Sequence, residues 1–212
     1  MINFIKKIKF LKIKFTLFFC FAFVALILEL ACEQKYDGAH YSDLTVVKTS
    51  RDSLFYFNNQ FFSGKVNQVN NKEVLIRTFH VKSGKLSGEY TVFDDSGNIT
   101  LSSNYYDGKL HGSWILYKNN TPVELLNYNF GLMDGPRKLY WSNGAIKEEN
   151  LFNQGVLIGM GKFYYSNGQL RKTIGWDFNG NPDGVWLDYH PNGKIKKKVI
   201  YQSGKIIDSL VF

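Results

Sequence analysis

Short runs rich in aromatic and β-branched residues alternate with polar tracts along most of this chain. One unit shows the pattern. Gly108-Lys109-Leu110-His111-Gly112 leads into Ser113-Trp114-Ile115-Leu116-Tyr117, a polar tract follows at 118–121, and a second apolar run extends to Tyr128. Both runs suit strands rather than helices. Polar tracts such as Ser142-Asn143-Gly144, Ser166-Asn167-Gly168 and Pro191-Asn192-Gly193 read as hairpin turns, because Asn-Gly pairs accept positive φ at low cost. The GxxxG segments between units read as a second tight turn, so each unit is one β-hairpin.

The units recur. Anchor glycines stand at Gly64, Gly88, Gly112, Gly135, Gly159 and Gly184, spaced 24, 24, 23, 24 and 25 residues apart. A second series, Gly84, Gly108, Gly131, Gly155, Gly180 and Gly204, precedes the anchors or closes the last unit. Units this short cannot bury a core alone and must stack on their neighbours. Counting from the anchor, position +2 holds Tyr90, Trp114 and Trp186, and position +4 holds Val92, Leu116, Leu139 and Phe163, on one strand face. Position +5 holds Phe93, Tyr117, Tyr140, Tyr164 and Tyr189, and position +11 holds Ile99, Val123, Ile146, Leu170 and Ile195. These columns predict aromatic ladders whose cross-strand pairs contribute roughly 0.2–1 kcal/mol each.

The pattern Tyr-x-x-Gly-Lys-Leu-x-Gly-x-Trp-x-x-Tyr, followed by Asn-Gly-x-Ile, resembles the MORN-type repeat, and more closely its bacterial variant found in proteins grouped under the YwqK-type antitoxin name. The resemblance covers residues 64–212. Two copies depart from it: the first carries Val66 and Glu73 where an aromatic and a glycine are expected, and Gly161 replaces the aromatic of the Gly159 copy. The resemblance implies an all-β fold, an elongated single-layer antiparallel sheet of about six hairpins. It also implies a scaffold, a lipid-proximal module or a partner-binding surface rather than a catalyst.

The N-terminus predicts an address. Lys6, Lys7, Lys9, Lys12 and Lys14 precede an apolar run of 14 residues, Phe15 to Leu28. That is the length of a secretory h-region and short of a span of about 20 residues. Leu30-Ala31-Cys32 then resembles a bacterial lipobox, with Glu29 where Leu is usual. The reading is a lipoprotein-type signal over 1–31, acylation of Cys32 and a place on the envelope membrane, on the periplasmic or surface side. A retained signal anchor and an ordinary cleaved signal are the alternatives. Cys20 and Cys32 are the only cysteines, so the exported part would hold neither thiol nor disulfide. The formal charge is +8 for the whole chain, and 21 basic against 17 acidic residues remain without the signal. The basicity is mostly targeting, and nucleic acid is not expected as a partner.

The remaining organisation is a tether over 32–53, an N-terminal capping strand over 54–63 and the repeats over 64–212. Residues from Gly204 read as a closing strand. The four histidines are too scattered for a metal site, and His111 and His190 read as turn residues. Asp94-Asp95 and Glu148-Glu149 read as solvated, and no cofactor or catalytic residue is expected. Lys194, Lys196, Lys197 and Lys198 read as edge protection, or as a contact to anionic lipid. The candidate binding surface is the set Tyr117, Tyr140, Trp141, Tyr164, Tyr165 and Tyr189, for aromatics on a rigid face suit protein or glycan recognition. The leading expectation is a membrane-anchored, non-enzymatic repeat module binding a protein or surface polymer. An antitoxin-like protein that neutralises a toxin and a phospholipid-proximal scaffold are the alternatives. An export signal argues against a cytosolic toxin as the target.

Overall fold

The computed structural model describes residues 38–50 and 52–212, within the unit Gly38–Phe212. The expected signal segment, Cys20 and Cys32 lie outside the described residues. Every repeat folds as the alternation predicts. The strands are β1 (Ala39–His40), β2 (Thr45–Lys48), β3 (Ser53–Phe57), β4 (Gln60–Phe61), β5 (Gly64–Val69) and β6 (Leu75–Lys82). Then come β7 (Lys85–Phe93), β8 (Ile99–Tyr106), β9 (Lys109–Lys118), β10 (Thr121–Asn129), β11 (Leu132–Met133) and β12 (Gly135–Tyr140). The last six are β13 (Ile146–Asn153), β14 (Val156–Tyr164), β15 (Leu170–Trp176), β16 (Gly184–Tyr189), β17 (Ile195–Gln202) and β18 (Lys205–Val211).

Strands β5 to β18 pair in chain order into one long open antiparallel sheet of consecutive hairpins, with β11 as a side pairing on β10. Among the described strands only β1 is parallel, setting Ala39 opposite Val66. Two turn types alternate. At one edge Asp107 and Gly108 both take positive φ, 47° and 83°, as a two-residue turn matching strand twist requires. These turns stack: the amide of Gly108 donates to the carbonyl of Leu86, that of Gly131 to Leu110 and that of Gly155 to Met133. One rung differs. Residues 177–181 replace the short turn with a longer loop, and the Gly180 amide turns back to the Asp177 carbonyl.

The GxxxG segments are therefore not turns throughout. Only the first glycine turns the chain, whereas the anchor glycine sits in a β-bulge inside the strand. Ser103 faces Trp114 and Tyr105 faces Leu110, so Asn104 alone opposes His111-Gly112-Ser113. Gly112 there has φ +90°, which a side chain rarely adopts. His111 is consequently a strand residue within β9, contrary to the turn expectation. Its ring lies 4.8 Å from Phe130 and 5.9 Å from Tyr106. His190 does open a turn, donating its amide to the Lys194 carbonyl.

The +2 and +4 positions share one face, as expected: Tyr90 pairs with Ser103, and Val92 with Leu101. The +2 column then continues through Trp114 and Leu126. It is not a continuous aromatic ladder. Ser103 and Leu126 belong to it, Arg137 pairs with Asn150, and Gly161 pairs with Ile174. At Gly161 the missing aromatic is supplied from a neighbouring strand. An added Cβ would stand 2.6 Å from a ring carbon of Trp176 and against Asn150 Oδ1. The Trp176 ring occupies the space that a side chain at 161 would need.

The N-terminal end departs from a single layer. The stretch expected within the tether carries β1, a short 3-10 turn (Tyr41–Asp43) and β2. The stretch expected as a capping strand is the β3–β4 hairpin. Strands β2, β3 and β4 form a separate sheet that packs on the +2 face of the main one. Its Phe55 amide donates to the Gly84 carbonyl at 2.8 Å, and the Gly84 amide donates to Phe62 at 2.8 Å. Leu44, Phe55, Val66, Phe79 and Val81 form the buried core there. Strands β2–β4 cap by lying over the sheet, whereas β1 extends its edge beside β5.

Candidate binding surfaces

The six aromatics expected as a surface fall into two structural groups, all half-buried. Tyr140, Tyr164 and Tyr189 end their strands, and Tyr117 stands one residue before the end of β9. Tyr140 faces Ile146, Tyr164 faces Leu170 and Tyr189 faces Ile195, across the Asn-Gly turns. Tyr164 donates to Glu149 Oε2 at 2.9 Å. Burial, then that acidic partner, pushes its phenol above the ordinary tyrosine range. Trp141 and Tyr165 open turns and stitch each turn to the next. Trp141 Nε1 donates to the Tyr164 carbonyl at 3.3 Å, and the Tyr165 hydroxyl to the Tyr189 carbonyl at 2.8 Å.

The acids expected to be solvated are engaged. Arg137 bridges Glu124 at 2.8 Å and Glu148 at 2.9 Å on the +2/+4 face. Buried Asn150 also donates to Glu148. Glu149 points to the other face and pairs with Lys138 at 3.3 Å. Asp94 accepts from the Asn98 side chain, from the backbone amides of Asn98 and Ser96, and is held below the usual carboxylate range by these bonds, Asn98's side chain foremost. Lys196, Lys197 and Lys198 lie on β17, which is paired on both sides by β16 and β18, and Lys194 precedes it in the turn. Strand β17 is therefore not an edge strand. Lys197 faces Asp188, and Lys198 faces Leu187.

Beyond Arg137 the same face carries indole and phenol rings among charges. Trp176 and Trp186 centroids are 6.2 Å apart, and Trp186 and Tyr201 are 4.2 Å apart. Trp186 Nε1 donates to the Gly175 carbonyl at 3.0 Å. Lys172 lies 3.7 Å from Asp188 and 5.6 Å from the centre of the Trp186 ring. Among the described residues no second layer lies over this stretch, in contrast to β5–β8. The sequence pattern places Trp186 in a ladder and does not single out Trp176 and Arg137. Their signal was available, since Arg137 holds the +2 position of its copy and Trp176 stands eight residues before the anchor Gly184.

The second concavity lies between the two sheets. It has a volume of about 240 Å³. Its apolar walls come from Phe55 of the cap and from Phe79, Tyr90 and Tyr105 of the main sheet. These rings form a chain, with centroids 5.3, 5.6 and 5.6 Å apart. Desolvation raises the Tyr105 phenol above its ordinary range, with neighbouring Tyr90 adding to the effect. Arg77 reaches the same space and donates through Nη1 to the Tyr90 hydroxyl at 2.9 Å. No sequence signal marked it, because the cap that encloses it has no repeat.

The family described as the MORN repeat variant matches residues 133–154, 157–181 and 182–206. These segments coincide with the hairpins built on the anchors Gly135, Gly159 and Gly184. No curated protein matches the chain. The same turn and bulge continue upstream through β5–β10, outside the matched residues. The three consecutive matches, on hairpins of one register, support a MORN-repeat protein.

Proposed function

We propose that this chain is a non-catalytic, repeat-type binding module that engages a protein or a surface polymer through the uncovered part of its +2/+4 sheet face. One observation carries the reading: Trp176, Trp186 and Tyr201 lie on the same face as the Glu124–Arg137–Glu148 and Lys172–Asp188 pairs, with no layer over them among the described residues. Rigid aromatics between polar pairs are the composition of binding hot spots. The acids of this face are already committed to cations, which fits recognition better than proton transfer. The module is held at the envelope membrane by lipid on Cys32.

Two experiments test this. A photo-crosslinking residue at Lys172 of the full chain, in native envelopes, should give discrete adducts, and one at Lys162 on the opposite face should not. Adducts at 162 alone would overturn the face assignment. Mass spectrometry of membrane-extracted protein should find an acylated peptide beginning at Cys32 that is lost in Cys32→Ala. A peptide with intact Met1 would remove the anchor from the proposal.

A further inference from the structure

We propose that the cavity beneath the N-terminal cap is a binding site for a small organic monoanion, a carboxylate carried on a compact ring, with Arg77 as the residue that holds the charge. This goes beyond the sheet-face reading and does not depend on it.

The argument starts from the unbalanced charge. Arg77 is half-buried. Its Nε donates to Gln68, its Nη1 donates to Tyr90, and its guanidinium stands 5.2 Å from the centre of the Tyr41 ring and 5.8 Å from that of Phe79. A guanidinium carries five N–H groups, so these bonds leave donors over. Among the described residues no carboxylate forms an ion pair with Arg77, whereas Arg137, on the open stretch of the same sheet face, takes two. A half-buried cation without a counter-charge is costly, and a cation that faces a cavity rather than an acid is placed to receive an anion.

The walls define the rest of the ligand. Phe55 and Phe79 are almost fully buried, at 5% and 1% exposure. They back the cavity with packed apolar rings, and half-buried Tyr90 and Tyr105 present ring surface to it. Ser53 and exposed Lys48 also line the cavity. Lys48 is exposed and screened by solvent, so Arg77 is the one partly desolvated charge of the lining, which favours a carboxylate over a phosphate dianion. The volume, about 240 Å³, fits a single ring and its acid group and lies at the small end of ligand sites.

Benzoate is the probe, benzamide its neutral counterpart of the same shape. Calorimetric titration of the full chain should show saturable benzoate binding at least about tenfold tighter than benzamide, since the amide cannot replace the charge-assisted pair. Arg77→Gln should bring the two to equal, weak binding. Hydrogen exchange with saturating benzoate should slow amides of β3, β6 and β7. Equal affinities in the unaltered chain, no binding of either probe, or protection confined to β14–β17 would each overturn the proposal. If Arg77→Gln does not fold, judged by its circular dichroism, the benzoate–benzamide pair and the exchange map on the unaltered chain decide alone.

Discussion

The same column of the same sheet passes through two environments, and its residues change accordingly. Under the cap, the +2 positions are Val66 and Phe79, with 0% and 1% exposure, pressed against Phe55 at 5%. Along the open stretch the column turns to Arg137, Asn150 and Gly161, and its buried apolar members are single residues, Leu126, Ile174 and Val199, at 7–9%. A one-layer sheet cannot dry an aromatic on its outer face, because only neighbouring strands cover it. Where a second sheet supplies the cover, rings stack into a core. Where none does, the chain keeps a ring by letting it lean along the sheet, as Trp176 leans over Gly161, or replaces it with an ion pair. Polar satisfaction then stands in for burial, and the face stays available to a partner.

The largest expected effect breaks the capped end. Phe79 touches rings of both sheets, so Phe79→Ala should cost about 3–5 kcal/mol. In a repeat array each unit contacts only its neighbours, so the loss should be regional. Hydrogen exchange should speed up across β3 and β5–β7 and change little in β16–β18. Uniform loss along all strands would mean that the cap stabilises the whole array.

A smaller effect probes how the open stretch is packed. Gly161 does not need its glycine for φ, only for space. Gly161→Ala should destabilise by about 1–3 kcal/mol through overpacking against Trp176, measured by urea melts. Trp176→Leu in the same chain should recover part of it, because contacting residues couple. If the two losses simply add, Trp176 does not fill the gap.

Smaller again is the ion-pair substitute. The Arg137 side chain is 27% exposed, and its partners Glu124 and Glu148 are 20% and 18% exposed. Such pairs contribute little once screened, so Arg137→Met, which keeps the stem, should cost about 1 kcal/mol. The loss should shrink in high salt. A cost equal to that of Phe79→Ala would erase the distinction between the two regions.

Much of this was legible before any coordinates. Period-two alternation and glycines at fixed spacing leave marks in a sequence, so the hairpins, the +2/+4 face and the closing strand β18 could be read. The second sheet could not. Thr45–Lys48 and Ser53–Phe57 form strands, but they carry no 24-residue period, and nothing in them says whether they extend the sheet or cover it. The cavity and Arg77's place in it follow from that cover and were equally hidden. His111 was misread because GxxxG suggests one turn, whereas the second glycine forms a bulge that keeps residue 111 in the strand and sets its ring on Phe130. The edge reading of the lysine run fails because the closing strand β18, itself legible, pairs with β17 and takes the edge position.

The smallest effect compares one motif in the two regions. Asp94 and Asp177 open turns that share an Asp-x-x-Gly-Asn frame, Asp94-Asp95-Ser96-Gly97-Asn98 between two strands of the capped region and Asp177-Phe178-Asn179-Gly180-Asn181 in the open stretch. Each carboxylate accepts from the Asn side chain and backbone amide four residues on, with amide distances of 2.9 and 2.8 Å. Both are held below the ordinary carboxylate pKa, the Asn side chain being the largest cause. A depressed folded-state pKa contributes stability that is present above the unfolded value, about 3.9, and lost as pH falls through the folded one. Melts of Asp94→Asn and Asp177→Asn should therefore lie below the unaltered chain near neutrality and converge on it in acid. The regions differ in how the loss spreads. Opening the Asp94 turn loosens β7, a strand of the capped core, so its exchange should rise across β6–β8. Opening the Asp177 turn, where the glycine rung is already missing, should free only the ends of β15 and β16. Identical spread from both turns would show that the cap gives its strands no cooperativity beyond that of the bare repeats.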